Sequence, residues 1–243
     1  MIALVAMALL AAAGPAFDVA TMKRSRPVGV GENYTANLGT ARNGAVELTN
    51  ATLADCIKFA YGLVSDDQVD GPVWAKSKEV RYDVVGKAPA ATSRDDLLLM
   101  LRTLLAERMH LAMHTEPRRM THYALTVARG GPKLHESTVE PAAARTTLYR
   151  TGALAHNRIT MLTLSMLLSR QLRELVLDET GLKGVYDLKL EWTPQAPGSA
   201  DAPDSGASIF TAVQEQLGLK LEARKDAVNV LVIDRAGRVP ADN

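Results

Sequence analysis

Two aspartates stand out as candidate acids, because each follows a tyrosine in a similar frame. One is Asp83 in Arg81-Tyr82-Asp83-Val84-Val85-Gly86, the other Asp187 in Gly184-Val185-Tyr186-Asp187-Leu188. Paired carboxylates serve general acid–base chemistry when a cleft drives one of them away from its ordinary pKa. Alternation along both runs argues differently. Tyr82 and Val84 share one face, with Arg81 and Asp83 opposite. Downstream, Tyr186, Leu188, Leu190 and Trp192 share one face, with Val185, Asp187, Lys189 and Glu191 opposite. The pattern predicts solvated strand faces, so neither acid is assigned a catalytic role.

The other reactive side chains give no stronger constellation. His110, His114 and His122 fall on what reads as one hairpin, His110–Glu116 with Thr121–Ala128 across Pro117-Arg118-Arg119-Met120. Histidines four apart in a strand are about 13 Å apart, too far to share a metal, so only His114 and His122 could approach. Cys56 lies on an apolar helical stripe and reads as a buried small hydrophobe. Serines lack a Gly-x-Ser-x-Gly elbow, and Gly29-Val30-Gly31 has no lysine–serine pair after it to make a phosphate loop. Arg118-Arg119 and Arg224-Lys225 read as matching solvated hairpin tips, with contact to an acidic partner or an anionic surface as the alternative. No catalytic, cofactor-binding or metal-binding residue and no cofactor is assigned.

The elements around these residues follow one order twice. Phe17–Met22 and Ala45–Thr49 alternate as strands, and Lys23–Asn43 reads as an irregular loop. Thr52-Leu53-Ala54-Asp55 starts a helix that Gly62 closes. After the Tyr82 strand, Ser93 caps a helix whose buried face is Leu97, Met100, Leu101, Leu104 and Leu105, widened by Leu98 and Leu99. Residues 135–158 read as a linker. A second half opens at Thr160 with Leu164, Leu167, Leu168 and Leu172 at helical spacing. Leu175–Asp178 is a strand, the Tyr186 strand follows, and Thr193–Ala207 reads as a disordered excursion. Ser208 caps a last helix closed by Gly218, and a hairpin around Arg224-Lys225-Asp226 ends the chain.

The predicted fold is α+β: two tandem duplicated modules, 17–134 and 159–243, each with two helices on a small mixed or antiparallel sheet. At 243 residues and 47% hydrophobic, the chain can bury such cores. Its net charge of +1 argues against nucleic acid, and a single cysteine excludes an internal disulfide framework. Residues 1–16, an apolar run ending in Ala11-Ala12-Ala13-Gly14-Pro15-Ala16, read as a secretory signal cut before Phe17. No other segment is long and apolar enough to span a bilayer.

Thr180-Gly181-Leu182 and Leu217-Gly218-Leu219 resemble the short N-terminal domain of secretins and TonB-dependent receptors, which implies envelope docking. Eight ordered blocks give a broader resemblance. Among them are Phe59-Ala60-Tyr61-Gly62-Leu63, Gly71-Pro72-Val73-Trp74, Gly130-Gly131-Pro132-Lys133-Leu134 and Asp178 through Asp187. They are similar to a large soil-bacterial family of exported proteins of unknown function, abundant in acidobacteria. Some relatives carry the domain beside membrane metallopeptidases of the beta-lactam-sensing type, which implies a sensory or docking role outside the cytoplasm. The expectation is a non-enzymatic envelope module binding a protein or peptide. The alternatives are a periplasmic small-molecule sensor with a cleft between modules, then a hydrolase.

Overall fold

The structure is a computed structural model that describes residues 14–27, 35–140, 145–194 and 207–241. In chain order the first elements are β1 (Val19–Arg24), β2 (Asn37–Arg42), β3 (Ala45–Ala51), α1 (Leu53–Tyr61), β4 (Val69–Asp70), β5 (Tyr82–Lys87) and α2 (Arg94–Arg108). Then come β6 (Ala112–Val127), β7 (His135–Glu136), β8 (Arg145–Arg150), β9 (Ala153–Ile159), α3 (Met161–Leu172), β10 (Val176–Asp178), β11 (Tyr186–Glu191), α4 (Ile209–Leu217) and β12 (Leu219–Arg235). The architecture is mixed α+β, with four helices and three four-stranded sheets among the described residues. The chain divides into two compact units. One draws on the chain up to Tyr61, Val73–Ala112 and the segment from Asp234; the other on Gly62–Pro72 and Met113–Ile233.

Helix starts follow from local chemistry. Thr52 and Asp55 cap reciprocally: Asp55 N–H donates to Thr52 Oγ1 at 3.1 Å, and Thr52 N–H donates to Asp55 Oδ2 at 3.1 Å. Ser93, Thr160 and Ser208 each accept the N–H three residues on. At the other end, Gly62 (φ 67°) follows α1 and Gly218 (φ 65°) follows α4, both in the left-handed region a C-cap needs.

In the first unit the sheet order is β1-β5-β3-β2, antiparallel throughout. Met22, Val46, Leu48, Tyr82 and Val84 are buried, while Thr21, Lys23 and Glu47 between them are exposed. One face is therefore dry and one wet, as strand alternation requires. Leu53 and Ile57 of α1 and Leu97, Leu101 and Leu105 of α2 complete this core. Tyr82 ends at a polar rim, its hydroxyl donating to Arg238 O at 2.8 Å.

The second unit holds two sheets. One is antiparallel, ordered β7-β11-β9-β8, and buries Tyr186, Leu188 and Leu190 beneath α3 and α4. Tyr123 and Phe210 meet edge-to-face at 5.2 Å beside that core. The other sheet is ordered β10-β6-β12-β4 and is built on two long strands. Thr126 Oγ1 bonds Lys220 O while His122 faces Asp226, so β6 and β12 run in opposite senses. β10 lies parallel to β6 (Val176↔Tyr123) and β4 parallel to β12 (Leu231↔Val69).

Several expectations need correction. Neither terminal hairpin exists: Ala112–Val127 and Leu219–Arg235 are each one continuous strand, and they pair with each other. Pro117 is tolerated because β10 covers β6 only at Tyr123–Leu125, leaving no outer ladder at the proline. The expected linker, residues 135–158, carries β7, β8 and most of β9, and the expected loop 23–43 contains β2. Arg81, expected on the wet face, is buried, and Leu99 of α2 is 40% exposed. β4 had no forecast at all. The signal at 1–16 and the excursion at 193–207 lie almost wholly outside the described residues.

Candidate functional site

The two Tyr-Asp strands place their acids at the same kind of position. β3 ends in a register shift, and Asn50 there takes a left-handed conformation (φ 53°) just before α1. β9 ends likewise, with Arg158 at φ 58° just before α3. Residues with side chains resist that conformation, so something must hold the backbone there. Asp83 Oδ1 accepts Asn50 N–H at 3.0 Å, and Asp187 Oδ1 accepts Arg158 N–H at 2.8 Å.

Each acid has a second donor from the neighbouring edge. Ser25, one residue past β1, gives its hydroxyl to Asp83 Oδ1 at 2.7 Å. Ser137, one residue past β7, gives its hydroxyl to Asp187. The serine backbones match too: Ser25 N–H reaches Arg81 O and Ser137 N–H reaches Val185 O, both at 2.9 Å. Each aspartate thus ties an edge strand to the bent strand end that launches a helix.

Electrostatics agree with a clamp. The Ser137 hydroxyl first, then the Arg158 amide, and more weakly the charge of His156, hold the Asp187 carboxyl below its ordinary 3.8. His156 goes below its ordinary 6.5 because burial outweighs the pull of Asn157 O and Asp187. Asp187 is thus held by the Arg158 amide and the Ser137 hydroxyl, while His156 Nδ1 bonds the carbonyl of Asn157. Ser137 gives its hydroxyl to Asp187 and accepts the Val139 N–H at 3.2 Å. The first unit keeps the same clamp with Asn50 and Lys23 where the second has Arg158 and His135, so the histidines are not needed for it.

The remaining candidates disperse. His110 (φ 47°) and His114 are exposed and His122 is buried. With β6 continuous, His114 and His122 are about 26 Å apart along the strand, which removes the shared metal site. Among the described residues no group of three or more His, Cys, Asp or Glu could hold a metal. Cys56 is fully buried, and burial first, then Asp55, pushes its thiol far up, so it is unreactive.

Arg118 and Arg224 sit mid-strand rather than at hairpin tips. Arg118 pairs with Glu116 at 2.8 Å and Asp70 at 2.6 Å; Arg224 pairs with Glu222 at 3.0 Å and with Glu179. Each takes one acid two residues back on its own strand and one from a short flanking strand or its end.

Sequence reasoning missed Ser25, Ser137, Asn50 and Arg158. A usable signal existed: Asn50-Ala51-Thr52 and Arg158-Ile159-Thr160 repeat a left-handed residue, a buried apolar residue and a helix-capping threonine.

One hollow, of 180 Å³, lies in the first unit between the start of β1 and α2. Phe17, Ala20, Met100 and Leu104 supply its apolar lining, with Asp18 and Glu107 among its polar residues.

No curated protein and no solved structure shows detectable similarity to the chain. A family described as "Protein of unknown function (DUF3738)" matches residues 54–236, which span both Tyr-Asp strands and all four helices, and the chain belongs to that family.

Proposed function

We propose that this chain is a non-enzymatic docking module of the bacterial cell envelope, built from two copies of one α+β unit and binding a partner by strand addition at an open sheet edge. The observation that carries this reading is the double clamp. The two most conspicuous acids each accept a serine hydroxyl and a bulge amide, so the best candidate chemistry is committed to architecture.

Duplication is supported by correspondence at each level. The orders β1-β5-β3-β2 and β7-β11-β9-β8 match strand for strand, with Tyr82 and Tyr186 in the second strand of each. The Glu116–Arg118–Asp70 and Glu222–Arg224–Glu179 clusters match as well. β4 and β10 each follow the first helix of a half and flank the long strand of the other half.

Docking is supported by the edges. β1 and β2 end one sheet, and β8 ends another, each six residues long. Such edges are templates for a further strand. Envelope residence rests on the apolar run and small residues of 1–16.

The test is photo-crosslinking in cells, with the crosslinker at Thr21 of β1 or Leu38 of β2 and, as control, at Lys189 on the wet face of β11. The expected result is one recurring adduct from the edge positions only, recovered from the envelope fraction in a chain beginning at Phe17. Equal labelling from Lys189, or recovery from the cytosol alone, contradicts the reading.

A further inference from the structure

β1 is the edge whose partner can be described chemically. Its six residues pair with β5 in unbroken register, from Val19↔Lys87 to Arg24↔Tyr82, and among the described residues its other side ends the sheet. It contains neither bulge nor proline, two devices that blunt an exposed edge; a third, charge, is present in Lys23 and Arg24 and discourages a like-charged strand but not an acidic one. β2, at the other end of the sheet, does carry a register irregularity.

Val19 is 63% exposed, and Thr21, Lys23 and Arg24 are exposed with it. Arg26 beyond the strand is also exposed; the exposed acids nearby are Asp18 and, across the hollow on α2, Glu107. Asp83, across from Lys23, is half-buried in its clamp. The edge therefore presents three cations, Lys23, Arg24 and Arg26, to whatever lies along it.

Strand alternation adds a second determinant. Ala20 and Met22 point toward the helices, and beside Ala20 the 180 Å³ hollow opens against Met100 and Leu104 of α2. A strand laid along β1 would carry alternate side chains over that hollow and the others over Val19, Thr21 and Lys23.

We propose that β1 accepts an extended acidic segment of a partner protein as a fifth strand of the β1-β5-β3-β2 sheet, with one aliphatic side chain of that segment seated in the hollow beside α2. This rests on the docking reading above and gives its partner a chemistry. Main-chain hydrogen bonds supply affinity, the hollow selects one side chain, and the cations select charge. A second copy of this chain fits less well, because it would bring its own Lys23 and Arg24.

The full chain is titrated by fluorescence anisotropy with three synthetic peptides of about eight residues, the length of an ordinary strand. The first alternates Glu with Val and Leu, the second has Lys for Glu, and the third is the first with alternate amides N-methylated. The first peptide should bind at least about tenfold more tightly than the other two. The Lys23→Glu, Arg24→Glu variant should lose about tenfold, and Ala20→Leu, which fills the hollow, should weaken this peptide but not a version with Ala in place of Val and Leu. Circular dichroism confirms that both variants fold. Binding indifferent to N-methylation or to the charge reversal overturns the proposal, as does a β1-mediated homodimer that excludes the peptide. Peptide binding that crosslinks at β2 instead overturns β1 while docking stands. No binding by any peptide, together with no edge crosslinks in cells, removes both.

Discussion

Asp187 accepts the Ser137 hydroxyl and the Arg158 amide, and both bonds weaken when its carboxyl takes up a proton. Its folded-state pKa lies below 3.8, so the unfolded chain protonates first. The clamp's contribution is therefore complete above about pH 4 and lost as pH falls through the lowered value. Asp187→Asn should melt below the wild type at pH 7, and the gap should close under acid; a gap of constant size from pH 7 to pH 2.5 argues against the clamp. Ser137→Ala removes the largest cause of the shift, so the Asp187 titration followed by NMR should move back up toward 3.8. His156 behaves with the same sign at higher pH. Its folded pKa is below 6.5, so its share of stability is present above pH 6.5 and declines below it. Alternation correctly put these acids opposite the apolar faces. What alternation could not supply were Ser25, 58 residues from Asp83, and Ser137, one residue past a strand that pairs with β11, because edge pairing is set by the fold and not by neighbours in the chain.

The elements themselves were legible wherever the signal was local. Thr52, Ser93 and Ser208 cap as their spacing indicated, and Thr160, where the second half was expected to open, caps α3. Ser208→Ala should cost about 1 kcal/mol in chemical denaturation. Leu101 is fully buried in α2, and Leu101→Ala should cost about 2–5 kcal/mol. Gly218→Ala should be harmful for two reasons, since φ is 65° and a Cβ would run into Gly131 O. The hairpins failed for the opposite reason. Pro117-Arg118-Arg119 and Arg224-Lys225-Asp226 carry turn-like chemistry, yet each segment continues straight because a distant strand satisfies its backbone. Interstrand NOEs should link β6 to β12; NOEs confined within Ala112–Val127 would restore the hairpin. Leu99 shows the same limit, since the run of five from Leu97 to Leu101 does not say which one faces water.

At the scale of the molecule, the order of the four described helices was readable, whereas β2, β4, β7, β8 and β9 and the pairing of β6 with β12 were not. The unit boundaries follow spatial contact: Gly62–Pro72 joins the later half and the segment from Asp234 joins the earlier one. Such exchanges leave no local mark in a sequence. The match to the family of unknown function, over residues 54–236, includes residues of both units. Within the described residues no helix is long and apolar enough to cross a membrane. Cys56, sealed in the first unit, is a convenient reporter there: its labelling by a thiol reagent should proceed only as fast as that unit opens.

Thermal unfolding at pH 7 of Asp83→Asn, Asp187→Asn and the double variant, set beside binding of the acidic peptide by the protein that remains folded, tests the central claim most directly. The account predicts that each change lowers the melting temperature, that the two losses add, and that peptide affinity is unchanged. Unchanged melting with lost binding would mean that the two aspartates act on a ligand and that the clamps are incidental.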